Sequence, residues 1–307
     1  MHRGVHGEKI VAAIEGEKTP EYDISRLRVA LDKYDDWISS LKNFEADTMS
    51  DFIAGMVNLL DEYKFYVDVI LIFDSEKDFL YRQKGQLKLD NTVIEEFLPI
   101  LVRRCITKKF GVCKVDVGSQ IPTYSSAYFV SSLSNPGVGG GINIKAKDQD
   151  FSMSRTLYMK SSYSQDFNPQ DTVTLTTHLG YVMAELKTNL DKTMFQEAAA
   201  TAHDVKQAVT GAKYYLLCDF LDMTPISTST TDIDEILIVR KAKRISSNVR
   251  KTFSTFAGRR AARDAYVEYL RSHPYSADVF IRFVDHIISQ IQDEEIIESD
   301  VLGAGYF

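Results

Sequence analysis

Apolar residues return at helical spacing from Asp23 to about Lys42, at Ile24, Leu27, Leu31, Tyr34, Ile38 and Leu41. A second such stretch runs from about Thr48 to Tyr63, with Met49, Phe52, Ile53, Met56, Val57 and Leu60 on one side. Together they predict an N-terminal helical layer, preceded by a polar, loosely ordered segment over residues 1–20. Residues 65–73, FYVDVILIF, read equally as a buried strand or a short core helix. Arg82, Lys84 and Lys88 surround Gly85 in a turn that is either solvated or within reach of a nucleic acid. Asp90 or Asn91 is placed to cap a helix running to about Lys109, whose first turn carries Glu95 and Glu96, where carboxylates suit the helix dipole.

Beyond residue 111 the period shortens to strands and turns. Residues 135–141, NPGVGGG, are the strongest punctuation in the chain and predict a flexible hairpin or a loop that moves on substrate binding. They match no GxGxxG or GxxxxGK[ST] frame, which argues against a nucleotide cradle. Ser152–Lys160 is strand-like, and Thr172–Lys187 is a second strand. Alternation there puts Val182, Ala184 and Leu186 toward a core, and Met183, Glu185 and Lys187 on an exposed face. Thr188, followed three residues later by Asp191, predicts a helix start. That helix repeats Met194, Ala198, Ala202, Val205 and Val209 and stops at Gly211. Residues 213–221 form a nearly continuous apolar strand, completing a βαβ unit. Ile233, Ile236, Ile238 and Val239 mark one more strand, and a last helix spans Ala277–Asp293. The pattern predicts an α/β fold in three parts: a helical segment 1–85, a sheet-bearing core 86–240, and a basic, helical segment 241–307.

The chain has 307 residues, 44% of them hydrophobic, enough for a sizeable core. Its three cysteines show no CxxC spacing, so neither a zinc site nor a disulfide framework is expected. The N-terminus has no signal-peptide pattern, and the longest apolar run is broken by Asp68. A cytoplasmic protein without a membrane partner is expected. The net charge of −7 argues mildly against non-specific nucleic-acid binding, but local patches decide. Residues 240–260 hold eight cations and no acid. Such a run predicts a phosphate-contacting surface, with Lys241, Lys243, Arg244, Arg250 and Lys251 as the contacts. Four phosphate contacts would give a log–log salt slope of roughly −3.6. Base-reading residues are not identifiable from sequence; the loops around 120–141 are the candidates.

Glu185 and Lys187 sit about 6–7 Å apart along one strand face. An acid-x-lysine triplet is common, and most often a surface ion pair. Here it ends a strand that leads into a helix, and Asp148 or Asp150 upstream can supply a second carboxylate. Of the two, Asp150 is favoured because it adjoins the next apolar-patterned run. Asp150, Glu185 and the Leu186 carbonyl would hold Mg²⁺, which takes oxygen ligands and keeps several waters. Lys187 would position a water and offset phosphate charge. Glu96 is a further accessory candidate. The chemistry implied is metal-dependent cleavage of a phosphodiester.

The runs AELKTNLDKTMFQEAAATAHDVKQA, KYYLLCDFLDMTPIST and ILIVRKAKR resemble the BbvCI-like branch of type II restriction endonucleases. The resemblance covers roughly residues 70–260. It implies a D…(D/E)xK nuclease core, a mixed central sheet flanked by helices, with Glu185 and Lys187 as the catalytic pair. Gln196, one turn into the following helix, is another accessory candidate by its likeness to related nucleases that place a glutamine there. It also implies Mg²⁺, double-stranded DNA cut at a short specific site, one strand per subunit, and a second subunit, identical or similar. The upstream acid departs from the family pattern, since no proline precedes Asp148 or Asp150. Other readings are a repair or mobile-element nuclease, an inactive DNA-binding protein, or a helical scaffold.

Overall fold

The structure, a computed structural model, describes residues 3–292 and 298–305. Helices α1 (Val5–Glu15), α2 (Glu21–Asn43) and α3 (Met49–Phe65) form the N-terminal layer. The chain is thus helical from Val5, not loosely ordered; Met1 and His2 lie outside the described residues. The cause is His6, fully buried, with Nδ1 2.9 Å from Thr92 Oγ1 and Nε2 2.9 Å from Tyr63 Oη. The Thr92 hydroxyl already donates to Lys88 O, so it accepts from His6, and Nε2 accepts from Tyr63. Burial pushes the His6 pKa down to about 3, so the ring is neutral.

Helix α3 continues without a break into a π-helix, Tyr66–Phe73, so the ambiguous run is helical. Its wide turn shows in the Asp74 N–H bond to Val69 O at 2.8 Å, and Lys64 Nζ neutralises Asp68 at 2.6 Å. Helices α4 (Asp78–Gln83) and α5 (Thr92–Phe110) follow, α5 ending at Gly111 with φ +78°.

The described strands are β1 (Asp116–Gly118), β2 (Ile121–Phe129), β3 (Ile142–Gln149), β4 (Phe151–Ser162), β5 (Thr172–Leu190), β6 (Lys213–Leu221) and β7 (Glu235–Lys243). They form one mixed sheet, β1-β4-β5-β2-β3, with β6 joined to β5 and β7. Strand β5, about 60 Å long at the usual rise, makes this possible. From Thr172 to Ala184 it pairs antiparallel with β4, Phe151 lying opposite Ala184, and from Val182 to Leu190 it pairs parallel with β6 along its other edge. The strand runs to Leu190, so Thr188 is not a helix cap. Asp191 is, its carboxylate accepting from Met194 N at 2.9 Å, and α6 spans Lys192–Lys206. The Gly211 turn lies five residues past that end. Helices α7 (Ser247–Thr252), α8 (Phe256–Ser272), α9 (Ala277–Gln292) and α10 (Glu298–Ala304) complete the chain; the expected end of α9 at Asp293 lies outside the described residues.

Two cores lie on the two faces of the sheet. Val182, Ala184 and Leu186 join the larger, with residues from all three expected segments, from Ile10 to Ile287. Met183 joins the smaller, under Phe195, Ala198, Ala202 and Val205 of α6. The face expected to be exposed is therefore covered, because a parallel pair needs its crossover helix packed on it. No described helix is long and apolar enough to cross a membrane.

The basic run is not one surface. Arg259 is fully buried and donates to the carbonyls of Phe73, Ser75, Lys77 and Phe253 and to Asp78. It closes the C-terminal end of the π-helix, whose carbonyls have no helical partner. Arg240 is buried too, 3.8 Å from the Tyr275 ring centre and bonded to Asp61 and His273 O. A one-sign charge run does not reveal that these two cations serve backbone carbonyls. Replacing Arg259 with Ala should cost about 3–5 kcal/mol, as for a buried charge network losing one partner, whereas Ala at exposed Arg260 should change stability by under about 0.5 kcal/mol. Urea midpoints of the two variants, read by circular dichroism, check this.

Candidate active site

Strands β4, β5 and β6 and helix α5 bring the site together. Lys187 Nζ lies 2.5 Å from Glu185 Oε1, with side chains 26% and 20% exposed. The other Glu185 oxygen accepts from Tyr214 Oη at 3.0 Å. Tyr214 is on β6, opposite Met183, and buried. Asp150 sits in the bend between β3 and β4 and accepts from Leu186 N at 2.8 Å. Asp148, by contrast, is exposed on β3 opposite Pro122, so the Asp150 side chain is the one that meets the Glu185–Lys187 strand.

Burial pushes the Asp150 carboxyl up; the Leu186 N–H opposes that, and the Glu185 charge adds to it. Burial alone would lower the Lys187 ammonium, but the hydrogen bond and charge of Glu185, with the charge of Asp150, hold it above the ordinary lysine value. Lys187 is thus a fixed cation among acids rather than a neutral amine. Burial also raises Tyr214, so it stays a hydroxyl donor.

Sequence reasoning singled out Glu96 as the accessory acid of α5. The structure turns Glu96 toward α1 and α2, where it accepts from His6 N and Tyr34 Oη. Its neighbour Glu95 faces the sheet, buried, and accepts from Gln120 Nε2 at 3.1 Å. Burial first, and then the charge of Asp150, push Glu95 up to about 7. Gln196 is exposed on α6, and the α6 charge that reaches Lys187 is that of Glu197. Tyr214 and Glu95 were missed. Tyr214 was legible in principle, as a polar ring inside an apolar strand on the face of Glu185.

Among the described residues, no three His, Cys, Asp or Glu side chains form a ready metal cage. The donors still suit Mg²⁺, which is commonly held by one or two carboxylates, the rest of its shell being water and phosphate oxygens. The crowding that raises Asp150 is what a divalent cation would relieve.

Beside the site, at the carboxyl ends of β5–β7, lies a cavity of about 290 Å³. Thr188 and Asn189, the next residues after Lys187, line it together with Lys84, Arg244 and Arg250. Arg244 holds Asp222 at 2.8 Å, and Arg250 Nε donates to Ile245 O at 2.9 Å. Lys243 and Lys251 are exposed, and Lys241 on β7 pairs with Asp278 at 3.1 Å.

A mixed sheet that sets an acid-x-lysine triplet at a βαβ crossover, with a second acid in the bend just before the adjoining antiparallel strand, defines the restriction-endonuclease-like class of fold. The chain belongs to the Bpu10I restriction endonuclease family, which matches residues 86–307. Among solved structures it resembles the native BbvCI A2B2 tetramer, with a TM-score of 0.56 and 19% identity over 88% of this chain and 97% of that one. No curated protein matches the chain.

Glu95 makes a stability prediction. Its ordinary pKa is 4.5 and its folded value is about 7. Between these the unfolded chain releases a proton that the folded chain keeps, so stability falls as pH rises and the loss is complete above about 7. Glu95→Gln should therefore gain about 2–3 kcal/mol at high pH, shrinking toward nothing in acid. Urea titrations on both sides of the transition measure it, and an equal gain at both would contradict it.

Proposed function

We propose that this chain is a Mg²⁺-dependent type II restriction endonuclease. It hydrolyses phosphodiester bonds of double-stranded DNA at a short specific site, each subunit cutting one strand. The observation that carries the reading is the cluster of Glu185 and Lys187 on β5 with Asp150 in the bend before β4. Asp150, Glu185 and the Leu186 carbonyl would hold the metal, which when bound supplies Lewis-acid stabilisation of charge on the phosphate.

The chain's own groups do the rest. Tyr214 fixes one oxygen of the Glu185 carboxylate, and Lys187 holds the other until substrate arrives. Lys187, protonated, leaves Glu185 for the phosphate as negative charge grows there, and orients the attacking water. Leu186 N–H holds Asp150 toward the same point. Glu95 is the further acid we assign to the site. Arg244 and Arg250, with Lys84, flank the neighbouring cavity and suit the next phosphates of the strand. Lys241, Lys243 and Lys251 would extend that track. A second subunit, identical or similar, supplies the other cut; the tetrameric BbvCI neighbour supports that reading.

Lys187→Ala should lower cleavage at least about 100-fold while leaving site-specific DNA binding in place, and chelator should stop the intact protein. Plasmid digests and gel-shift titrations read both; full cutting in either condition sinks the proposal. Arg244→Ala and Arg250→Ala should each reduce the salt slope of DNA binding by about 1, with little change in which site is cut. Mapping the ends tests the strand rule. Discrete double-strand fragments point to paired copies, and a single-strand nick points to a different partner chain.

A further inference from the structure

Two loops, 130–141 between β2 and β3 and 163–171 between β4 and β5, join the antiparallel strands at one end. They are tied into one surface. Ser161 Oγ donates to Gly139 O at 2.9 Å, and Gly139 N donates to Asp171 O at 3.1 Å. Ser131 Oγ lies 3.3 Å from Tyr163 Oη, and Val130 N donates to Gly141 O at 2.9 Å. Gly139 and Gly141 have φ of +57° and +61°, and a Cβ on them would meet Ser161 O at 2.5 Å and Val130 O at 2.1 Å. The glycine run that reads as a mobile hairpin is thus pinned to its neighbour.

What this pinned end displays is apolar. Phe129 is 60% exposed, Val130 65%, Leu133 fully, Val138 51%, Tyr163 65% and Phe167 49%. Together they present on the order of 700 Å², close to the roughly 800 Å² each partner gives to a standard interface. Residues 121–144 contain no charged side chain, in a chain where 26% are charged. The facing loop adds Asp166 and Asp171 and no cation. A phosphate backbone is therefore the wrong occupant, whereas exposed aromatics with charge depleted are the composition of a protein interface core. Nor does a lone soluble monomer ordinarily leave a preordered patch of this size bare.

We propose that this tip is the surface through which two copies of the chain pair. An apolar patch can face its own copy, as a two-fold contact requires. The BbvCI neighbour, an assembly with two copies of each chain, aligns with 88% of this one. The inference rests on the multi-subunit reading above and adds the place of contact. It leaves the Glu185–Lys187 site free at the other half of β5.

Sedimentation velocity on the whole chain, without DNA, tests it. The wild type should sediment as a dimer that dissociates on dilution. Phe129→Ser with Leu133→Glu should raise the dissociation constant at least tenfold, at unchanged circular dichroism and melting temperature. Val130→Glu is the independent second variant. A wild type monomeric at every concentration, or variants that stay dimeric, would overturn the proposal. So would variants that lose DNA affinity while their association is unchanged. The readout is mass, so a chain that dimerises without cutting DNA supports this inference and counts against the nuclease reading.

Discussion

An ion pair drawn mostly out of water, Glu185 with Lys187, governs the rest of this structure. Charges at 2.5 Å attract strongly, but each loses hydration when about three-quarters or more of it is covered. The pair is held with Tyr214 on one carboxylate oxygen and Lys187 on the other, and the charge of Asp150 also favours the ammonium. Such a site demands a strand whose two faces are both packed. Strand β5 provides it, with the large helical core on one side and α6 on the other.

The length of β5 couples two kinds of construction. Its second half belongs to a parallel, buried sheet, where a crossover helix hides one face and leaves charge only at the carboxyl ends. Its first half belongs to an antiparallel arm that ends in exposed loops carrying no cation. One strand thus separates a polar site from an exposed apolar surface.

The helices are bound to the sheet by buried charge as well as by apolar packing. Lys64 reaches Asp68 at 2.6 Å and Asp219 of β6 at 3.8 Å, while Arg240 and Arg259 close carbonyls on distant segments. Desolvation makes each costly to leave unpaired, so these links specify one docking geometry. The acids of the site work in the opposite sense. Asp150 and Glu95 are raised because the fold crowds and buries them, a strain that stability alone would not select.

Much of this was legible in residue order. The alternation of residues 180–187 put Glu185 and Lys187 on one face, and the 3.6-residue repeats marked α2, α3, α5 and α6, because both periods follow from local backbone geometry. The tertiary structure alone decided what local period does not encode. It chose Glu95 over Glu96, since one residue turns a helix by about 100° and only packing sets the zero of that angle. It set Asp150, which residue order already favoured over Asp148, against β5, brought Tyr214 to Glu185 from a strand 29 residues away, and sent Arg240 and Arg259 inward from a run that reads as a phosphate-contacting surface. Charge and polarity in a sequence state what a side chain needs; which carbonyl, cation or carboxylate meets that need is settled by contacts between segments that the chain order keeps far apart.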